Sequence, residues 1–332
     1  MAIGGWRLVV GDRRSAVGGQ WFDTTLFLLN LNSMSYSDAK HSPWFWLLVL
    51  PLIPAVLIAA LSAGGLSGGR VEAIATAPAA TGETPDGQTV EVPMAEMIQL
   101  AENALAATIA GVDDYTTRMI KQEQDRSGVL QPASESFMKI ATRHPGGKPG
   151  SPMRVYLRFD SPNEVRGREV IWVENENDGN LLVREAGMLG ALGTIPLPPE
   201  GMLAMRGQRY PITEIGLTRL LEKLIERGSR DRDNPDVRVF FTEGYVFDDA
   251  RLTHLRIERD QPSGLEGDFS IAELVLDRER NLIVSFRSFG WPKKSGGEPV
   301  LIESYEYLDL KINVGLTDRD FDTSNPDYTF AK

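Results

Sequence analysis

From Tyr115 onward the chain is cut into short runs of alternating apolar and polar residues divided by turn formers, and this pattern restricts the fold more than any other feature. Tyr115–Gln124, Glu135–His144, Met153–Asp160, Arg168–Asn175 and Leu181–Glu185 come first; Val237–Thr242, Arg251–Arg259, Phe269–Asp277, Leu282–Phe289 and Val300–Val314 follow. Period-two alternation marks strands with one wet and one buried face. Consecutive strands joined by short turns make an antiparallel meander, because a parallel crossover needs a helix-length connection. Asn177-Asp178-Gly179-Asn180 is a tight-hairpin signal between the fourth and fifth runs.

Val155, Leu157 and Phe159 share one face of their run, with Arg154 and Arg158 on the other. In the last run a mostly apolar face (Ile302, Ser304, Glu306, Leu308, Leu310, Ile312, Val314) opposes Glu303, Asp309 and Lys311. Two helices interrupt the strands. Pro93 opens the first and Gly111 closes it, with Met94, Met97, Ile98, Ala101, Leu105 and Ile109 on one stripe. In the second, Thr213 is the expected N-cap, and Leu217, Leu220, Leu221, Leu224 and Ile225 keep helical spacing until Gly228. Two helices cannot cover ten strands on both sides. The fold class that follows is mainly β (α+β): an unclosed antiparallel barrel of about ten strands with two main helices packed in or over the concave face.

Ahead of this body, Trp44 to Leu61 contains no polar or charged side chain and is followed by Ser62-Ala63-Gly64-Gly65. A spanning helix needs ~20 apolar residues, and Pro51 and Pro54 would kink one, so an export signal is favoured over a retained anchor. Residues 1–33 read as a non-translated or disordered extension with Met34 as the true start, 34–63 as signal peptide or N-terminal membrane anchor, 64–92 as a flexible linker, and 93–332 as the folded domain. The domain is thus expected outside the cytoplasm, periplasmic or held at the inner membrane by residues 44–61.

Composition removes several classes of function. A formal charge of −11 argues against nucleic acid as a partner, and the absence of cysteine removes disulfides, thiolate metal sites and cysteine nucleophiles. No phosphate-cradling glycine loop or His-Glu-x-x-His motif occurs. His144 and His254 stand without sequence neighbours that would mark a base. Asp318-x-Asp320-x-Asp322 imitates the start of a calcium loop, but Thr323 replaces its glycine and Thr329 its final glutamate. An Asx-rich turn packing the chain end through Phe321, Tyr328 and Phe330 is expected instead. No catalytic residue, metal or cofactor is assigned; a hydrolase would need carboxylates, or histidine with carboxylates, gathered at the barrel mouth.

Ala186 to Gly207, between the fifth strand and second helix, is both apolar and rich in Gly and Pro. It is expected either to close the core as a tucked loop or to act as a mobile lid over a lipid-sized cavity. In the lid reading Met188, Leu189, Leu192, Met202, Leu203 and Met205 gate the ligand, while Val155, Leu157, Phe159, Val170 and Trp172 line the wall. Its occupant is a lipid or acyl chain. The alternative is a non-catalytic structural or interaction protein with a filled barrel and another envelope protein as partner.

Three blocks carry a resemblance: Gly167-Arg168-Glu169-Val170; Leu203-Ala204-Met205-x-Gly207-x-Arg209-x-Pro211-Ile212-Thr213-Glu214-x-Gly216; and Asp320-Phe321 with Asn325-Pro326-Asp327-Tyr328-x-Phe330. Over roughly Met94 to Phe330 the chain resembles a bacterial family of exported proteins known as a domain of unknown function. That family is in turn similar to the LolA-like superfamily of lipoprotein carriers. The resemblance implies an unclosed barrel whose apolar cavity receives acyl chains of a lipoprotein, with a strand arginine latching the lid. Arg118, Arg154, Arg158, Arg168 and Arg184 all sit on expected strands, and none is singled out.

Overall fold

A computed structural model of the chain describes residues 14–17, 20–23 and 88–331 except 266. Within the first 33 residues, where no regular element is expected, β1 (Arg14–Val17) and β2 (Gln20–Asp23) form an antiparallel hairpin. The proposed start at Met34, the apolar run 44–61 and the linker up to residue 87 lie outside the described residues. No described helix is long and apolar enough to cross a membrane.

The domain begins with β3 (Thr89–Val92), α1 (Met94–Gly111), β4 (Asp114–Glu123), β5 (Ser134–Ala141), β6 (Arg154–Ser161), β7 (Glu169–Val173), β8 (Leu181–Arg184) and β9 (Thr194–Leu197). It continues with α2 (Leu217–Arg230), β10 (Val237–Phe247), β11 (Ala250–Arg259), β12 (Ile271–Asp277), β13 (Leu282–Gly290) and β14 (Val300–Ile312). Twelve strands make one antiparallel sheet in the order β3-β10-β11-β12-β13-β14-β4-β5-β6-β7-β8-β9. The first and last strands of that order do not pair, so the barrel is open.

All ten expected strands are present, and two more were missed for a shared reason. β3 lies in the segment expected to be linker, and β9 in the segment expected to be irregular. Each has four residues, too few for a period to register, and each is an edge strand held by its neighbour's backbone. Pro196 sits in β9 opposite Leu182, a position open to proline because an edge strand need not donate every N–H.

The helices close the concave side. α2 starts from Gly216 rather than Thr213: residues 212–214 form a separate 3-10 turn, and Gly216 has φ 110°, which most side chains resist. Gly228 does not end α2, which runs on to Arg230. Its role is packing: a Cβ there would stand 2.8 Å from Met97 Cε and 3.2 Å from Ile98 Cγ1, so the missing side chain lets α1 and α2 touch.

Register explains the two halves of the core. On β4 to β9 the concave residues form two rows. Tyr115, Ile140, Val155 and Trp172 make one, continued by Leu181 and Leu197; Thr117, Met138, Leu157, Val170, Val183 and Ile195 make the other. On β10 to β13 a second cluster, including Val239, Phe241, Leu255, Ile257 and Leu274, packs under α1 and Leu221 and Leu224 of α2.

The convex face of β5 to β7 is covered by the chain end, as expected for the Asx-rich turn. Phe321 and Tyr328 are buried there with Tyr156, Ile171 and Val173, and the Tyr328 ring stacks on Tyr156 at 4.1 Å. Asp320 accepts from the Thr317 backbone N–H at 2.9 Å and from Lys139 at 2.7 Å. Asn325 Nδ2 donates to the Arg319 carbonyl at 2.9 Å.

Candidate functional site: the concave face and its cover

The five expected wall residues all face the concave interior. Val155, Leu157, Val170 and Trp172 are buried, and Phe159 is half-buried against the same cluster. The residues above them are not those expected. Ala204, Ile212 and Ile215, with Leu217 and Leu220 of α2, pack on this wall. Met188 and Met202 are 93% and 81% exposed, and Leu192 and Leu203 are exposed too; Leu189 is half-buried, and of the six expected gating residues only Met205 is buried. The expectation that so apolar a segment must leave water is overturned for these four. The 3-10 turn Gly187–Leu192 and the turns around Met202 bracket edge strand β9, where no further layer covers them.

The cover is fastened by a polar seam that sequence alternation missed. Glu303, expected on the wet face, is 3% exposed on the concave side, opposite the equally buried Glu123. Glu123 accepts from the Arg209 backbone N–H at 2.9 Å, from Lys121 at 3.0 Å and from the Tyr305 hydroxyl. Glu303 accepts from Ser288 Oγ at 3.1 Å and lies 3.2 Å from the Tyr305 oxygen. Arg209 Nε and Arg227 Nη1 each stand 3.9 Å from a Glu303 oxygen, and Lys121 also bonds Gln208. Burial, then the two flanking carboxylates, pushes the Tyr305 hydroxyl well above the ordinary tyrosine range. The seam ties Gln208 and Arg209 of the cover, and Arg227 of α2, to β4 and β14.

Four of the five arginines expected on strands are paired away from this seam. Arg118 pairs with Glu135 and Asp309, Arg154 with Asp318, Arg158 with Asp160 and Arg168 with Glu185; Arg184 is engaged as well. The signal for the seam was present in the sequence as Gly207-x-Arg209, but the acidic partners are 86 and 94 residues away, and alternation put Glu303 on the wet face.

One small hollow lies away from the expected wall. Among the described residues an apolar hollow of about 20 Å³ lies under α1, bordered by Met97, Ala101, Ala104, Leu224, Leu255 and Leu274. That hollow has room for about one water molecule, and not for an acyl chain. Side chains of Ala204, Ile212, Ile215, Leu217 and Leu220 pack on the wall itself. No three acidic or histidine side chains among the described residues are arranged to hold a metal ion.

A second polar group sits outside the seam. Glu306 is 8% exposed, and its carboxyl is raised above the usual carboxylate range by burial, against the opposing pull of Arg287. Its folded pKa therefore exceeds its unfolded one, so the folded state holds the proton more tightly and stability falls as pH rises through that interval. Glu306→Gln is expected to raise the melting temperature at pH 7 by a few degrees, and to leave it unchanged near pH 4, where the carboxyl is already protonated. Thermal melts across that range check this; equal shifts at both pH values would contradict it.

The fold and its cover define a class: an open antiparallel half-barrel with an apolar concave wall, two helices and an irregular covering segment. The particular family follows from the sequence. Residues 112–330 match the family described as "Protein of unknown function (DUF1571)", and the chain belongs to it. No curated protein matches the chain. Solved structures that it resembles include a DUF1329 family protein from Desulfovibrio piger (13% identity, TM-score 0.34) and a domain from Vibrio parahaemolyticus described as an outer membrane lipoprotein-sorting protein (12%, 0.33). A LolA superfamily protein from Nitrosomonas europaea is a third (11%, 0.26); each comparison covers 70% of this chain and 98% of the other.

Proposed function

We propose that this is an exported, non-enzymatic envelope protein that binds an apolar ligand, a lipid or the acyl chain of a lipoprotein, on the concave wall and hands it on. One observation carries the reading: two rows of concave side chains, almost wholly apolar and six strands wide, are covered by the start of α2 and by the irregular segment 198–216 that precedes it. Residues 198–216 belong to no sheet strand, so this part of the cover can lift without breaking sheet hydrogen bonds, and the seam at Glu123 and Glu303 gives it a defined closed position. Each CH₂ moved from water onto that wall contributes about 0.8 kcal/mol, so one acyl chain offsets the displacement of Ala204, Ile212 and Ile215. The apolar run at residues 44–61 supports export.

The small hollow favours a second reading, in which the filled barrel is a structural or interaction module docking to another envelope protein. The two differ in a direct measurement. Native mass spectrometry of gently purified protein is expected to find co-purified lipid, and an apolar dye is expected to fluoresce on addition and be displaced by lysophospholipid. No lipid and no dye response would leave the filled-barrel reading.

A further inference from the structure

Of the five wall residues, Trp172 alone carries a polar atom, and its environment makes that atom conspicuous. The residue is 4% exposed, and its indole Nε1 has no hydrogen-bond partner. Its neighbours in the row are Val155 across β6 and, beyond it, Ile140. Tyr115, at the end of the row, already accepts the Leu217 backbone N–H at 3.3 Å. A buried donor without an acceptor is rare in native proteins, and it penalises the closed form relative to a state that supplies one. Phenylalanine would fill the same wall without that penalty.

We infer that the Trp172 indole N–H is the polar anchor of the bound ligand, and that the ligand is an apolar chain bearing a carbonyl oxygen: an acyl ester, acyl amide or fatty acid, not a plain hydrocarbon or alkyl ether. This rests on the apolar-ligand reading and narrows it to a chemical class. Ile212 and Ile215 pack on the cluster that contains Trp172, and a Cβ on Gly216 would stand 3.2 Å from the Tyr115 hydroxyl at the far end of the row. When these residues lift, a chain lying along the two rows brings a carbonyl near its head to the indole. The hydrogen bond then fixes the depth of the chain, which dispersion and apolar burial alone leave free to slide.

The test uses the full-length protein and two probes that differ only in the carbonyl: 1-palmitoyl-lysophosphatidylcholine and its 1-O-hexadecyl ether analogue, both below their micellar concentrations. The ester is expected to bind about tenfold more tightly than the ether, the ratio for one buried hydrogen bond. In Trp172→Phe that ratio is expected to fall within twofold. A ¹⁵N-indole resonance that moves downfield with the ester but not the ether supports the same assignment without any substitution. A dipalmitoylated lipopeptide serves as a third probe: tighter binding than the lysophospholipid assigns the carbonyl to a lipoprotein, weaker binding to a phospholipid. Equal binding of ester and ether by the unmodified protein would overturn the anchor while leaving the apolar-ligand reading intact. If neither probe binds, both fall.

Discussion

Glu169→Ala is expected to lower stability by about 3 kcal/mol, a fall in Tm of roughly 6–12 °C for a domain of this size, and to free the chain end. Glu169 is 2% exposed and accepts three hydrogen bonds: Tyr156 hydroxyl at 3.1 Å, and the Thr329 backbone N–H and hydroxyl at 2.8 Å each. Alanine leaves the Tyr156 hydroxyl buried without an acceptor and removes the clamp on Thr329. The packing of Phe321 and Tyr328 on β6 and β7 loosens with it. Urea unfolding followed by circular dichroism measures the loss. Limited proteolysis with intact-mass readout should show early cleavage between residues 313 and 330; an unchanged midpoint and an uncut chain end would refute the clamp.

Glu123→Ala should act elsewhere and as strongly. It leaves the Arg209 N–H, Lys121 and the Tyr305 hydroxyl without their shared acceptor, with Glu303 as the remaining carboxylate of the seam. Removing one member of a buried charged cluster costs about 3–5 kcal/mol, and here the cheapest response is release of the cover, not global unfolding. Amide hydrogen exchange over residues 198–216 is expected to accelerate at least tenfold, while the chain end keeps its protection. Apolar-dye fluorescence should rise in the same variant if the wall is what the cover hides. Unaltered exchange in that segment would show that apolar packing alone holds the cover.

The local pattern was legible where burial on one side persisted along a run. The faces of Val155, Leu157 and Phe159 against Arg154 and Arg158 came out as alternation requires, and both helices lie where their stripes place them. The pattern failed in the last strand. Its pairing with β4 shifts between Leu308 and Lys311, and that with β13 between Ser288 and Phe289, so a constant period assigns Glu303 to the wrong environment. The resembling blocks were also partly interpretable only afterward: Glu169 of the first meets Thr329 of the last, and Arg209 of the middle one meets Glu123.

By itself the sequence determined the class of fold, ten of the sheet's twelve strands, both helices and the apolar identity of the wall, because these depend on periodicities within a few residues. Only the tertiary structure decided what covers that wall, where Glu123 and Glu303 reside, and that Met188 and Met202 remain in water. Those outcomes depend on which distant segments compete for the same concave surface, and on electrostatic pairing across some ninety residues or more, which no local window contains.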